Sequence, residues 1–167
     1  MPDSVPAPVP VAAPAPFRWQ IASAVSASPQ EAWRWITSVQ GIGAELAPYL
    51  RMSVPPGIAS LDDMAVVPGQ RLFRSTLYLF GVLAVDHSDL TLLSLEPGVG
   101  FVEQSPMRSM PQWRHARSIT PSATGCTITD SLQFDPRWAP AFSSWCVRRL
   151  FAHRHAVLRA RLGPSTG

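Results

Sequence analysis

Apolar positions recur along this chain with two different periods, and the change of period divides it. Near the C-terminal end Trp138, Phe142, Trp145, Cys146, Leu150, His153 and Val157 recur at spacings of three and four, with Trp145 and Cys146 adjacent, the period of one helical face. The pattern predicts a single long helix over 137–162. Val147, Phe151, Leu158 and Leu162 widen its apolar surface, while Arg148, Arg154, His155 and Arg159 read as a solvated strip. Gly163-Pro164 ends it, because glycine accepts the left-handed terminal conformation and proline cannot continue the ladder. At the other end Phe17, Trp19, Ile21, Ser23 and Val25 alternate with Arg18, Gln20, Ala22, Ala24 and Ser26, which is strand period.

Ser28-Pro29-Gln30-Glu31 then signals a helix start, with serine as N-cap, proline at the first helical position and glutamate reaching back. Ala32, Trp33 and Ile36 give that helix an apolar edge. A second short helix with Ile42, Leu46 and Leu50 is expected after a break at Gly41 to Gly43. The prolines and acidic pair of 53–69 indicate a loop or an irregular strand. Strands are predicted at 71–80, with a bend at Gly81, at 82–85, at 90–95 after a turn at 86–89, and at 100–105, 112–120 and 125–134. Six or seven strands in meander order, with no helices alternating between them, make the class α+β: a curved antiparallel sheet around a long C-terminal helix.

Composition narrows the setting. The 167 residues are 46% hydrophobic and 15% charged, enough for one domain with a substantial core. All fourteen basic residues are arginines, and they are scattered rather than clustered, so the net charge of +3 does not indicate nucleic-acid binding. Cys126 and Cys146 read as buried free thiols rather than as a disulfide or zinc pair. Residues 1–16, dense in proline and without an apolar run long enough for a signal peptide or membrane span, are expected to be a disordered arm before a domain at 17–164. A cytoplasmic protein without cofactor is the corresponding expectation, and monomer and homodimer are both left open.

The order of one strand, two short helices, a run of antiparallel strands and a long closing helix resembles the helix-grip fold of the START-like (SRPBCC) superfamily. The segment Ser26-Ala27-Ser28-Pro29-Gln30-Glu31-Ala32-Trp33 is similar to its usual exit from the first strand, and 136–162 to its closing helix. The resemblance covers the chain from Phe17 onward. It implies an elongated apolar cavity between helix and sheet, used in some members for ligand transport and in others for cyclisation, dehydration or aldol-type chemistry.

Strand parity indicates which polar groups look into such a cavity. Trp113, His115, Arg117 and Ile119 share one face of their strand, Cys126, Ile128, Asp130, Leu132 and Phe134 one face of the next, and Phe101, Glu103 and Ser105 the favoured face of a third. His153 is expected to look back at the sheet from the helix. Glu103, His115, Arg117, Asp130 and His153 then converge on an apolar interior, where charges must be paired. Three readings follow. The groups form a satisfied structural network; or His115 and Asp130 act as a catalytic acid/base pair, with Glu103 and Arg117 binding a carbonyl-bearing substrate; or His115, His153 and a carboxylate bind a metal, a reading that no short-spaced ligand pair supports. Trp33, Trp113, Trp145 and His153 are the further ligand-lining candidates, alongside Met52, Met64, Met107 and Met110. The expected partner is a small hydrophobic molecule, aromatic or polyketide-like, held by a cyclase or dehydratase or else by a carrier or sensor without turnover.

Overall fold

The computed structural model describes residues 16–164, so the expected N-terminal arm lies outside the described residues apart from Pro16. Its strands are β1 (Phe17–Val25), β2 (Leu50–Met52), β3 (Arg71–Leu79), β4 (Leu83–Glu96), β5 (Gly100–Gln104), β6 (Gln112–Ser122) and β7 (Gly125–Asp135). They form one antiparallel sheet in the order β1-β7-β6-β5-β4-β3-β2. Register shifts within the β3/β4 and β4/β5 pairs are the irregularities that help the sheet curl. The helices α1 (Pro29–Thr37) and α2 (Val39–Leu46) follow β1, and α3 (Pro140–Leu162) lies across the concave face.

The capping box forms as the sequence indicates: Ser28 Oγ accepts from the Glu31 backbone N–H, and Glu31 Oε2 accepts from that of Ser28 at 2.9 Å. The glycines that suggested a break lie inside α2. Ser38 Oγ caps it by accepting from the Gly41 N–H at 2.9 Å, and a Cβ on Gly41 would stand 2.1 Å from the Trp35 carbonyl oxygen. Glycine is needed there for the close approach of α1, and Leu50 consequently belongs to β2 rather than to the helix. The turn expected at 86–89 is also absent, because β4 runs through it. Its acidic residues have partners that hold them extended: Arg74 on β3 grips Asp89 in two bonds of 2.7 and 3.0 Å, and Asp86 accepts from the backbone N–H groups of Arg108 and Ser109.

The long helix begins at Pro140 and buries Ser144, Val147, Phe151, Arg154, His155 and Leu158. This corrects the expected face: Trp138, Phe142 and Trp145 are 53%, 64% and 57% exposed, and the pair taken for a solvated strip, Arg154 and His155, points into the protein. Apolar residues occupy more than one side of α3, so period alone does not choose a face. Partners for the guanidinium and imidazole in the sheet and in α2 do.

On β7 every second residue, Cys126, Ile128, Asp130, Leu132 and Phe134, is buried. The two residues before Asp130 in this row join an apolar cluster with Val25, Trp33, Ile36, Leu92, Phe101 and Leu158, and the two after it join a second with Val147 and Phe151. Asp130 therefore stands at the seam between two apolar cores. Among the described residues no helix is long and apolar enough to cross a membrane.

Candidate functional site

A carboxylate at such a seam is stable only with its lone pairs filled. Asp130 receives four donors. Arg117 Nε at 2.6 Å and His115 Nε2 at 2.9 Å bond Oδ1, and Arg117 Nη2 at 2.7 Å and His155 Nε2 at 3.0 Å bond Oδ2. Arg117 faces Asp130 because the two are paired across β6 and β7. Its remaining terminal nitrogen, Nη1, donates to both oxygens of Glu45 at 3.1 and 2.9 Å, and Arg154 Nε donates to Glu45 Oε2 at 3.0 Å. Two carboxylates and two guanidiniums thus cancel in charge, with the side chains of Glu45, Arg117 and Asp130 wholly out of solvent.

Hydrogen-bond complementarity orders the imidazoles. Arg159 donates to Ser23 Oγ at 2.7 Å, so the Ser23 hydroxyl donates to His155 Nδ1 at 2.8 Å and His155 Nε2 carries the hydrogen given to Asp130. Burial by itself would raise the Asp130 pKa. The charges of Arg117 and His115 and their hydrogen bonds outweigh it and hold the carboxyl well below the ordinary range. Because the depressed value belongs to the folded state, Asp130 stabilises the fold above its unfolded pKa, near 4, and loses that contribution as pH falls toward the folded value. Thermal melts taken from pH 6 down to pH 3 should show the midpoint falling below about pH 4. A midpoint that holds constant to pH 3 would contradict this.

Beside the cluster lies a cavity of about 790 Å³, between the β2–β4 end of the sheet and the first half of α3. Met52, Leu77, Met107, Met110, Trp113 and Leu150 represent its lining. Its polar edges are few: Asp86, Ser88, Glu103, Ser109, and, on or beside α3, Arg149 and His153, with Tyr49 at the rim. Asp86 ties down the segment that carries Met107, Ser109 and Met110, which borders the cavity. Burial would raise the Asp86 pKa, but the backbone and side-chain hydrogen bonds it accepts, led by those of Ser109, bring it below the usual range.

The residues expected at the site are divided between these two regions. Glu103, Trp113, Trp145 and His153 line the cavity. His115, Arg117 and Asp130 do not; they form the cluster behind it, with exposures of 2%, 1% and 0%. Trp33 belongs to the core near α1 and donates from Nε1 to Asp62 at 3.0 Å. His153 meets the Ala47 carbonyl oxygen at 2.6 Å and the edge of Tyr49, so it does not join His115. Among the described residues no group of three or more histidine, cysteine, aspartate or glutamate side chains is placed to hold a metal ion.

One residue connects the two regions. Glu103 is paired with His115 across β5 and β6, lines the cavity, and brings Oε2 to 3.5 Å from His115 Nδ1. His115 Nε2 gives its hydrogen to Asp130, so the Nδ1 approach to a carboxylate is favourable only with a proton on one of the two groups. Asp130, His115 and Glu103 form a line that ends at the cavity wall. Phe101 and Phe151 set the imidazole plane by edge contacts at 5.4 and 5.1 Å.

Sequence reasoning misses Glu45, Arg154 and His155. A signal for Glu45 exists in the single charge within Val39 to Leu46, a stretch otherwise apolar or small apart from Gln40, once it is read as helical from Val39.

The profile of the family described as "Domain of unknown function (DUF8410)" matches residues 23–162. No curated protein matches. Among solved structures, protein CV1439 from Chromobacterium violaceum is similar with a TM-score of 0.69 at 14% identity, over 90% of this chain and 100% of that one. A START superfamily protein from Mycobacterium smegmatis gives 0.60 at 9% identity, over 87% and 95%. An AHSA1-like protein from Aeromonas hydrophila gives 0.56 at 11%, over 86% and 93%. The helix-grip architecture expected from the order of elements is therefore the fold of this chain, and these likenesses bear on fold alone.

Proposed function

We infer, for a chain that belongs to the DUF8410 family and carries a START-like fold, that it holds a small, mostly apolar molecule between α3 and the sheet. The observation that carries this reading is the cavity of about 790 Å³, within the range of small-molecule sites and walled by aliphatic, methionine and tryptophan side chains with few polar groups. Such a wall rewards apolar surface and leaves orientation to the polar edges. Glu103 is the anchor, because it is the cavity-facing end of the buried line of polar groups that runs from Asp130 through His115.

Native mass spectrometry of the purified protein should reveal a retained small molecule, or a thermal-shift panel of naphthols, fatty acids and polycyclic hydroxyketones should contain a binder. A ligand at a hundred times its Kd raises stability by about 2.7 kcal/mol. Recovery of the bare polypeptide mass together with no shift across the panel would end the reading.

A second reading, acid/base catalysis of cyclisation or dehydration, rests on the Asp130–His115–Glu103 line. Asp130 has all of its lone pairs engaged and lies away from the cavity, so in this reading Glu103 exchanges the proton with substrate, His115 relays it at Nδ1, and the Asp130 carboxylate orients the imidazole through Nε2. Glu103→Gln should then retain binding and lose turnover, and His115→Gln should shift the pH profile. A non-catalytic carrier or sensor shows no turnover in any variant.

A further inference from the structure

Ser88 is buried at 2% exposure, lines the cavity, and has a hydroxyl oxygen with no hydrogen-bond partner among the described residues. An orphaned buried hydroxyl destabilises a fold, and a serine here is therefore poorly explained by packing. Alanine would fill nearly the same space without the penalty. On the same inward row of β4, Leu90 and Leu92 follow Ser88, and all three are buried. Leu92 is paired with Glu103 on β5, while Ser88 bridges Met107 beyond the end of that strand. Ser88 and Glu103 thus occupy neighbouring chain segments four residues apart in register, which is about 13 Å at roughly 3.3 Å per residue. Apolar side chains such as Met107, Met110 and Trp113 share the cavity with them.

We propose that Ser88 and Glu103 form a two-point recognition site for an elongated apolar molecule with a hydrogen-bond acceptor at one end and a donor at the other, an oxo-hydroxy aromatic or polycyclic compound. The inference rests on the cavity-binding reading and adds the chemistry of the occupant. The end at Glu103 donates. Only Oε2 of Glu103 approaches His115 Nδ1, at 3.5 Å, so the other oxygen, Oε1, remains an acceptor. The end at Ser88 accepts, because a ligand that donated at both ends would leave the serine hydrogen unpaired, and an unpaired buried donor is the rarer defect.

The test uses 6-propionyl-2-naphthol, which carries a ketone and a phenol at opposite ends of an apolar ring system, with 2-naphthol (no ketone) and 6-propionyl-2-methoxynaphthalene (no donor) as controls. Binding is followed by fluorescence on the full chain and its variants. The wild-type protein should bind the keto-naphthol at least about tenfold more tightly than either control, equivalent to 1.4 kcal/mol. Ser88→Ala should reduce keto-naphthol affinity to that of 2-naphthol, leave 2-naphthol affinity unchanged, and melt no lower than wild type. Glu103→Leu, which removes the acceptor while filling similar space, should reduce keto-naphthol affinity to that of the methoxy compound. Equal affinities for all three probes, or a Ser88→Ala variant that keeps the ketone advantage or melts lower, would overturn the two-point site while leaving the cavity reading intact. Failure of all three probes to bind would overturn both.

Discussion

Replacing Arg117 with alanine should lower stability by about 3–5 kcal/mol, the cost of breaking a buried ion pair by removing one partner. In a domain of this size that corresponds to a fall in melting temperature of about 10–15 °C. The magnitude follows from what would be left behind. Asp130 would lose two of its four donors and Glu45 would keep only Arg154, and both carboxylates are wholly out of solvent. Water cannot reach them without opening the seam between the two apolar clusters. Arg117→Lys should fall between wild type and alanine, since an ammonium restores charge but cannot span Asp130 and Glu45 with a planar fork. If the alanine variant does not fold, the lysine variant carries the comparison. Melting of Arg117→Ala within about 1 kcal/mol of wild type would contradict the assignment, because that is the range of an exposed pair. The prediction concerns removal of one partner only, since a cluster replaced whole by apolar residues can be as stable as the original.

Leu150→Trp should leave the fold nearly as stable as wild type and reduce binding of an apolar probe such as 2-naphthol at least tenfold, about 1.4 kcal/mol. Leu150 lies on α3, half-buried, with its side chain at the cavity rather than in either apolar cluster. An indole there occupies space that a ligand would take and requires no displacement of the core. Trp is also only slightly poorer than Leu as a helix former. Equal probe affinity in variant and wild type would place the binding site elsewhere; loss of stability by several kcal/mol would show that the space is already filled by protein.

How far the sequence speaks depends on how local the deciding physics is. Parity along β6 and β7 places His115, Arg117 and Asp130 inside because side chains alternate strictly and no bulge interrupts that pair. The Ser28 to Glu31 capping box is legible for the same reason, since both of its bonds close within four residues. The face of α3 is not legible. His153 and His155, or Trp145 and Val147, differ by two positions on a helix apolar on several sides, and the choice is made by Glu45, 109 positions from Arg154, and Asp130, 25 positions from His155. The run 86–89 misleads because Asp and Ser favour turns when unpartnered, and here Arg74 and the backbone of 108–109 partner them. The division of the polar residues into a sealed cluster and a cavity edge is likewise tertiary: parity reports that a side chain points inward, not whether it meets a cavity or another charge when it arrives.

Isothermal titration of the wild-type protein with 2-naphthol at several temperatures tests the central claim most directly, that the space under α3 is an apolar site open to a guest. One saturable site per chain is predicted, with a negative heat-capacity change, the signature of apolar surface leaving water. The absence of a saturable heat, or binding with no heat-capacity change, would contradict it.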